Sequence, residues 1–594
     1  MTIKLPGLRA VFACAAASFA MASALTAYFG AAWGGMAAFI ACTLLLLAAC
    51  ALRPTRGEAA ACGLLGAAFG VMHTVGYSYD TINSYGLILK NMKTLLIGGL
   101  CMLSLAVLAA CACLVIIRLI DRMKNACARA GEADAKDKKK LFILSAAMIF
   151  LGSVPYLMLY APGLNIFDTH DQILQFFGYP SYIGDGSALS DHHPVFLTVV
   201  YAAFMKLGLL LGSANIGQMI YSIVSMAALS CAWAYALCAL YDEGLNKRTC
   251  LYIAGFVALY PVFALYAFNM CKDVSAAPFV LIFITQMIRL HRTGGQAIRS
   301  GKFFAAMLLN CLMLMLTRKP SMYALAFAAV FAVIFYRGVR VRIGACLLGA
   351  VVLFHAGYSS LLLPAMGVIP GETREMLSIP FQMTARYLNT YDDATQEELD
   401  AVARVLNLEE VKNYDPRLSD PVKDTSNPDL GGGNLSAYLG AFVTMGLRHP
   451  GVYLDAWLNM IYGYFYPSDS NTIFCLTLNS PDQGKLTLTQ DERLDAARLE
   501  LHNIFYFRLR RIPGAGALLY VNAVSWSFLL LLVYAVLRGG LKEAAPYMFF
   551  FGTLGICLLS PKSGEIRYLM PILYALPVMF GAMLLPDETK GGDA

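Results

Sequence analysis

Blocks of apolar residues near helix-spanning length alternate along the chain with short charged loops. They fall at roughly 8–29, 32–52, 59–75, 94–120, 141–160, 215–240, 249–269, 274–290, 303–317, 320–336, 340–357, 515–537, 544–560 and 566–586. A bilayer core takes about 20 apolar residues of helix. The pattern therefore predicts about fourteen spans, the shorter ones tilted or set in thin membrane. The fold class is all-α, a polytopic transmembrane helix bundle. The stretch from His193 to Leu211 is also apolar enough to cross. Counting it as a span would put the Arg-rich 289–302 loop outside, so it is read as a helix along the outer membrane surface. The first block, Leu8 to Phe29, lacks a convincing cleavage region and is followed at once by a second apolar run from Ala31. It is read as a retained helix rather than a signal peptide.

Composition agrees with this pattern. The chain has 594 residues, 58% hydrophobic and only 14% charged, with mean hydropathy +0.61. That excludes a soluble domain. The net charge of +7 does not point to nucleic acid, because the basic residues sit in short loops between apolar blocks, where they set orientation. Arg122, Lys124, Arg129, Lys136, Lys138, Lys139 and Lys140 mark the 121–140 segment; Arg289, Arg292, Arg299 and Lys302 mark the next; Arg337, Arg340 and Arg342 mark the third. All three are expected inside, which puts both termini in the cytoplasm of a multi-pass plasma-membrane protein. The 16 cysteines are scattered mostly in apolar segments, without metal-ligand spacing, and read as small hydrophobes.

The organisation predicted is an accessory set of spans at 1–125, a basic cytoplasmic linker at 126–140, a core at 141–357, an extracytoplasmic segment at 358–512 and closing spans at 513–594. The 358–512 segment is much more polar and is expected to be a small, mainly helical domain with no internal disulfide, since it holds only Cys475. Within it DDATQEELDAVARVL reads as a capped amphipathic helix. No internal repeat is visible, which counts against an inverted-repeat transporter.

The densest polar patch lies at 162–194, between apolar blocks, and gathers Asp168, His170, Asp171, Asp185, Asp191, His192 and His193. Acids and imidazoles at a membrane edge are costly to desolvate and mark a candidate site; the plainer reading is a solvated loop. With the orientation above, this patch, the Lys272-Asp273 and Arg318-Lys319 loops, the 358–512 segment and the Lys562–Arg567 loop share the outer face.

An Asp in the first large outer loop of a helix bundle, followed by a His-Pro helix, resembles the GT-C glycosyltransferases. A closer resemblance is to an uncharacterised bacterial multipass family with a PG…D…Q…DHHP pattern, a K-D step, an R-E…IP-Q segment, a D-P-x-K segment and a terminal E-x-R-Y-x-x-P. Here these are Lys272-Asp273; Arg374-Glu375 with Ile379, Pro380 and Gln382; Asp420-Pro421-Val422-Lys423; and Glu565-Ile566-Arg567-Tyr568 with Pro571. The resemblance covers roughly residues 141–590. It implies a polyprenyl-phosphate-linked sugar as donor and an outer-loop acid as catalytic base or metal ligand. The acceptor would be an envelope glycan, lipid or protein, and the partner medium is the lipid bilayer.

Inverting transfer needs a carboxylate to take the acceptor's proton and cations to hold a departing lipid phosphate. Asp168 is the first choice for the base; its alternative is to cap the helix at 169–177. Asp171, one turn on, is a base partner or metal ligand. His192 and His193 orient substrate, or cap a surface helix that begins at Pro194. A divalent cation, Mg or Mn, is admitted as cofactor, with Asp168, Asp171 and His193 as its candidate ligands. Lys272 and Asp273 either pair with one another or serve the site. Arg318 and Arg567 are the favoured phosphate ligands, with interfacial snorkelling as the alternative. Tyr568 is counted with the substrate-binding set. Arg374, Gln382 and Arg386 fall on one face if helical, covering the site or packing their own domain. Tyr462, Tyr464, Phe465 and Tyr466 read as an interfacial belt before a sugar platform. Two other function classes stay open: a flippase or transporter of lipid-linked glycan, and a non-catalytic envelope assembly protein.

Overall fold

The computed structural model describes residues 7–30, 35–427, 430–471, 473–512 and 514–586. The extreme termini, and with them their expected cytoplasmic placement, lie outside the described residues. The described residues are 76% helical, which establishes the all-α class. Strand among the described residues is one parallel pairing of Leu164–Asn165 with Asn269–Met270.

Nine helices among the described residues are long and apolar enough to cross a membrane: Leu8–Phe29, Arg56–Ile82, Met92–Cys127, Ala135–Leu159, Ala214–Asp242, Lys272–Arg292, Arg337–Ala365, Val521–Gly539 and Ile566–Met583. Met36–Leu52, Val195–Leu210, Gly301–Thr317 and Ser321–Phe335 are shorter apolar helices. The expected block at 249–269 is broken. Lys247–Leu259 ends before Pro261, which opens a separate short helix, Pro261–Tyr266, because proline fits the first turn but cannot donate within a helix interior. The block at 544–560 is likewise a 3-10 segment, Leu541–Tyr547, running into Met548–Cys557.

Two helices outrun their apolar blocks. Thr55 and Glu58 form a capping box that starts Arg56–Ile82, and Asn91 with Thr94 starts Met92–Cys127. These two helices share the most extensive packing among the described helices and approach closely at Gly66 and Gly70 in a G-x-x-x-G register. A Cβ on Gly70 would collide with the Met102 carbonyl oxygen, and one on Gly66 with that of Ala106. Gly70→Val should therefore force the helices apart and cost roughly 1–3 kcal/mol. Thermal melting of the purified protein in detergent checks this, and an unchanged midpoint would refute the close crossing.

The helices sort their charges to two ends. At one end Lys247 pairs with Asp137 at 2.6 Å, Arg292 with Glu243 at 3.2 Å and His291 with Glu543 at 2.9 Å, and Lys138 pairs with Asp242. Arg538 reaches Glu58 at 3.0 Å and Asp121 at 2.5 Å. Arg342 donates to the Arg299 carbonyl at 2.8 Å. The three basic loops singled out in the sequence thus meet at this end, and the polar patch stands at the other.

The 358–512 stretch packs in two ways. Residues between Leu377 and Tyr453 build a core of their own around Phe381, Tyr387, Val402 and Tyr438. It includes the predicted capped helix, found as Gln396–Ala403 with Thr395 and Glu398 in a capping box. Tyr464, Ile473, Phe474 and Phe505 instead join the core of the main bundle. Arg386 binds the Asn83 carbonyl at 2.7 Å and Asp455 at 3.4 Å, tying the first of these parts to the N-terminal helices.

Candidate functional site

Asp168 lies in the first turn of the Phe167–Phe176 helix, whose cap, Ile166, receives no side-chain bond. Asp168 is therefore not a capping residue, and its carboxylate is used across the fold. Lys272 reaches its Oδ2 at 2.7 Å and Arg567 reaches the same oxygen at 3.2 Å. Oδ1 accepts no hydrogen bond from the described residues, and the side chain is 21% exposed. Burial alone would raise this carboxyl's pKa. Lys272, Arg567 and His193 override it and hold the group well below the ordinary carboxylate range.

The backbone around Asp168 is pinned from three sides. Leu164–Asn165 pairs with Asn269–Met270, immediately before Lys272. Thr169 donates to the Met270 carbonyl at 2.6 Å. Asn165 and Asn479 exchange bonds, Asn479 N–H giving to Asn165 Oδ1 at 2.6 Å and Asn165 Nδ2 to the Asn479 carbonyl at 3.0 Å. The distance between Asp168 and Lys272 is thus fixed by main chain, not by flexible loops.

Lys272 and Asp273 do not pair with each other. Successive helical side chains point apart, so Lys272 turns to Asp168 while Asp273 takes Arg318 at 2.8 Å. Lys272 also donates to His193 Nδ1 at 3.3 Å. That bond needs a neutral ring, and burial followed by the Lys272 charge pushes the His193 pKa well down. Arg318 and Asp273 are almost wholly buried, at 2% and 3% exposed. Arg318 also donates to the Tyr568 carbonyl at 3.1 Å. It therefore neither snorkels nor faces open space, and it joins the start of the Lys272–Arg292 helix to the start of the Ile566–Met583 helix. Tyr568 contributes its main chain to this joint. Arg567 remains accessible beside Glu565, which it meets at 3.4 Å and which also holds Lys562 at 2.8 Å.

Lys319 pairs with Asp191 at 3.0 Å and also donates to its carbonyl. The DHHP turn is thereby anchored beside Asp168. Asp171 is buried and accepts from His170 at 3.2 Å; among the described residues no bond joins it to the Asp168 cluster. Arg374 pairs with Glu372 and donates to the Asp424 carbonyl at 2.9 Å. Lys423 draws in Glu375 at 2.8 Å and Asp420 at 3.0 Å. Gln382 points elsewhere, donating to the Asp415 carbonyl at 2.8 Å inside the outer core. The expected common face of Arg374, Gln382 and Arg386 is thus split among three sets of partners. The aromatic run is not a belt: Tyr462 and Tyr464 are buried, with their hydroxyls on Asp80 at 3.1 Å and on Ser560 at 2.8 Å.

The metal candidates Asp168, Asp171 and His193 form no ligand group among the described residues. The group of three that does form is His192, Glu372 and Glu375, whose ligating atoms lie within 4.8 Å of one another. Burial, followed by the Lys272 and Lys423 charges, lowers the His192 pKa to about 4. Its neutral ring makes no hydrogen bond among the described residues. One imidazole with two carboxylates suits Mn better than Mg, which favours all-oxygen shells. Glu372 was not visible as a site residue in the sequence; its one signal is proximity to the Arg374-Glu375 pair.

Comparisons with curated proteins and with solved structures give no match. No GT-C family model is matched. The family model that does match begins after Asp168 and Asp171, and takes in His192, His193, Lys272, Asp273, Arg318, Arg374, Gln382, Arg567 and Tyr568. It spans residues 183–591, so the chain belongs to the family of unknown function DUF6020.

Proposed function

We propose that the chain is a membrane glycosyltransferase that moves a sugar from a polyprenyl-phosphate donor to an envelope acceptor, inverting the anomeric centre. The observation that carries this reading is the convergence of Lys272 and Arg567 on one oxygen of Asp168, at the end of the bundle opposite the basic loops. Three cations (Lys272, Arg567 and Lys562) meet two carboxylates there (Asp168 and Glu565), which leaves positive charge for a phosphate. A donor phosphate arriving there would draw Lys272 and Arg567 away from Asp168. That frees the carboxylate and raises its basicity just as the acceptor hydroxyl needs a base.

The acceptor oxygen then attacks the anomeric carbon from the face opposite the phosphate and gives its proton to Asp168. The bond from sugar to phosphate oxygen breaks, and the electron pair leaves on polyprenyl phosphate, whose charge Lys272 and Arg567 hold. A divalent cation held by His192, Glu372 and Glu375 would supply further charge neutralisation beside that phosphate. The reading places this end at the outer membrane face by the positive-inside rule. It counts fourteen crossings, with Val195–Leu210 along the surface, since counting that helix as a span would put the Arg-rich 289–302 loop outside. It also takes 358–512 as extracytoplasmic.

The test is a profile of lipid-linked sugars in cells carrying the wild type or the double variant Lys272→Gln, Arg567→Gln, at matched protein levels. Accumulation of one polyprenyl-phosphate sugar in the variant is expected and would name the donor. An unchanged profile would sink the proposal. Accumulation of a larger lipid-linked glycan on the cytoplasmic leaflet alone would favour a flippase.

A further inference from the structure

We infer that the basic end of the bundle carries a second ligand site, which binds the phosphate headgroup of an anionic phospholipid. A cavity of about 810 Å3 opens there between the Ala214–Asp242, Lys272–Arg292 and Gly301–Thr317 helices. It is far from Asp168, at the opposite ends of the same helices. Its charged rim is made by Lys138, Asp242, Glu243, Arg289 and Lys302.

One of the three rim cations is paired and two are not. Lys138 is taken by Asp242, and Glu243 is taken by Arg292, from beyond the cavity lining. Arg289 and Lys302 are exposed and make no ion pair or side-chain hydrogen bond among the described residues. The two acids on the rim are thus already neutralised, and two free cations remain. Deeper in, Thr285 and Gln286 give a polar step, and Tyr235 and Ala236 on a helix of spanning length, with Phe303 and Ala306 on the shorter apolar helix Gly301–Thr317, form the wall.

An anionic phospholipid matches each layer. Its phosphate meets Arg289, whose planar fork suits phosphate, and Lys302. Its glycerol and ester oxygens meet the polar step, and its chains follow the apolar wall into the bilayer. A zwitterionic lipid shares the chains but lacks the net charge. A soluble phosphate shares the charge but lacks the chains. Basic pockets between membrane helices are the places where headgroups of anionic lipids are held. The inference does not rest on the proposed transferase chemistry and survives its failure.

The test uses the full-length protein purified into nanodiscs of mixed phosphatidylglycerol and phosphatidylcholine, delipidated stepwise, with retained lipid counted by native mass spectrometry. The wild type should keep phosphatidylglycerol in preference to phosphatidylcholine. The double variant Arg289→Gln, Lys302→Gln should weaken that retention by roughly 10- to 30-fold, two surface charges being lost. Both positions are exposed, so the helices keep their packing. A control, Arg337→Gln with Arg340→Gln, removes the same charge from the same end outside the cavity. It should leave retention unchanged. Equal loss in test and control would reduce the effect to general surface charge and overturn the site. No loss in the test variant would overturn it as well. So would competition by glycerol phosphate as effective as that by the lipid, because the apolar wall would then contribute nothing.

Discussion

Asp168→Asn is expected to lower kcat for sugar transfer by about 10^2 to 10^4, the usual worth of a positioned general base, while leaving donor binding as tight as before or tighter. The second half of that expectation comes from the geometry. In the wild type, Asp168 competes with the donor phosphate for Lys272 and Arg567; the amide does not. A variant that lost kcat and raised the donor KM together would instead mark Asp168 as a pin for its two cations. An unchanged kcat in reconstituted protein would remove it from the chemistry. The pH profiles separate these outcomes further. Lys272 and Arg567, acting against burial, keep the free carboxylate ionised to well below its ordinary range. The acid limb of kcat/KM, which reports the free enzyme, should therefore fall at unusually low pH. Once phosphate holds the two cations, the carboxyl loses their support, so the acid limb of kcat should lie at higher pH than that of kcat/KM. An acid limb of kcat/KM near neutrality would assign the proton to another group.

The membrane character was legible because hydrocarbon leaves only one local choice, a long apolar helix with its backbone satisfied internally. The ends of those helices were less legible. Arg56–Ile82 runs past the apolar block that announced it, through Tyr77, Ser78, Tyr79 and Asp80. Those residues are tolerated there because Tyr79 donates its hydroxyl to Asp455 and Asp80 accepts from Ser468, partners some four hundred positions away. Hydropathy reads the solvent a residue prefers, not the distant partner that excuses it. The same limit explains Glu58, a buried acid whose cations are Arg118 and Arg538. At the site, Asp168, Lys272 and Arg567 stood out because charges at span ends are expensive and few. Which charge meets which was not readable: the sequence left a mutual Lys272–Asp273 pair open, and the fold sends the two side chains to different partners. The choice of Asp168 for Lys272 and of Arg318 for Asp273 needed the parallel pairing of 164–165 with 269–270, and two-residue strands leave no periodic trace in a sequence.

Asp273→Ala is expected to be the most destabilising single change near the site, by about 3–5 kcal/mol, because it strands the Arg318 guanidinium in a buried position with no countercharge. Loss of purified yield and a large fall in melting temperature would report it. Activity would fall too, but a failing fold would mask any effect on the geometry of the site. The informative variant is the double replacement Asp273→Leu with Arg318→Met. Exchanging a buried pair for apolar groups of similar volume is often neutral or stabilising, so this protein should fold and melt near the wild type. Its transfer activity should nonetheless stay low. Arg318 spans from Asp273 to the Tyr568 carbonyl, and those two points neighbour Lys272 and Arg567, the cations that flank Asp168. Without that brace the two helix starts are free to shift, and near-attack geometry tolerates little displacement before rates fall about a hundredfold. Recovery of stability without recovery of kcat would make the pair a positioning device for the cations. Recovery of both would make it a fold element alone, and the spacing of Lys272 and Arg567 would then be set by the main-chain pairing before Lys272.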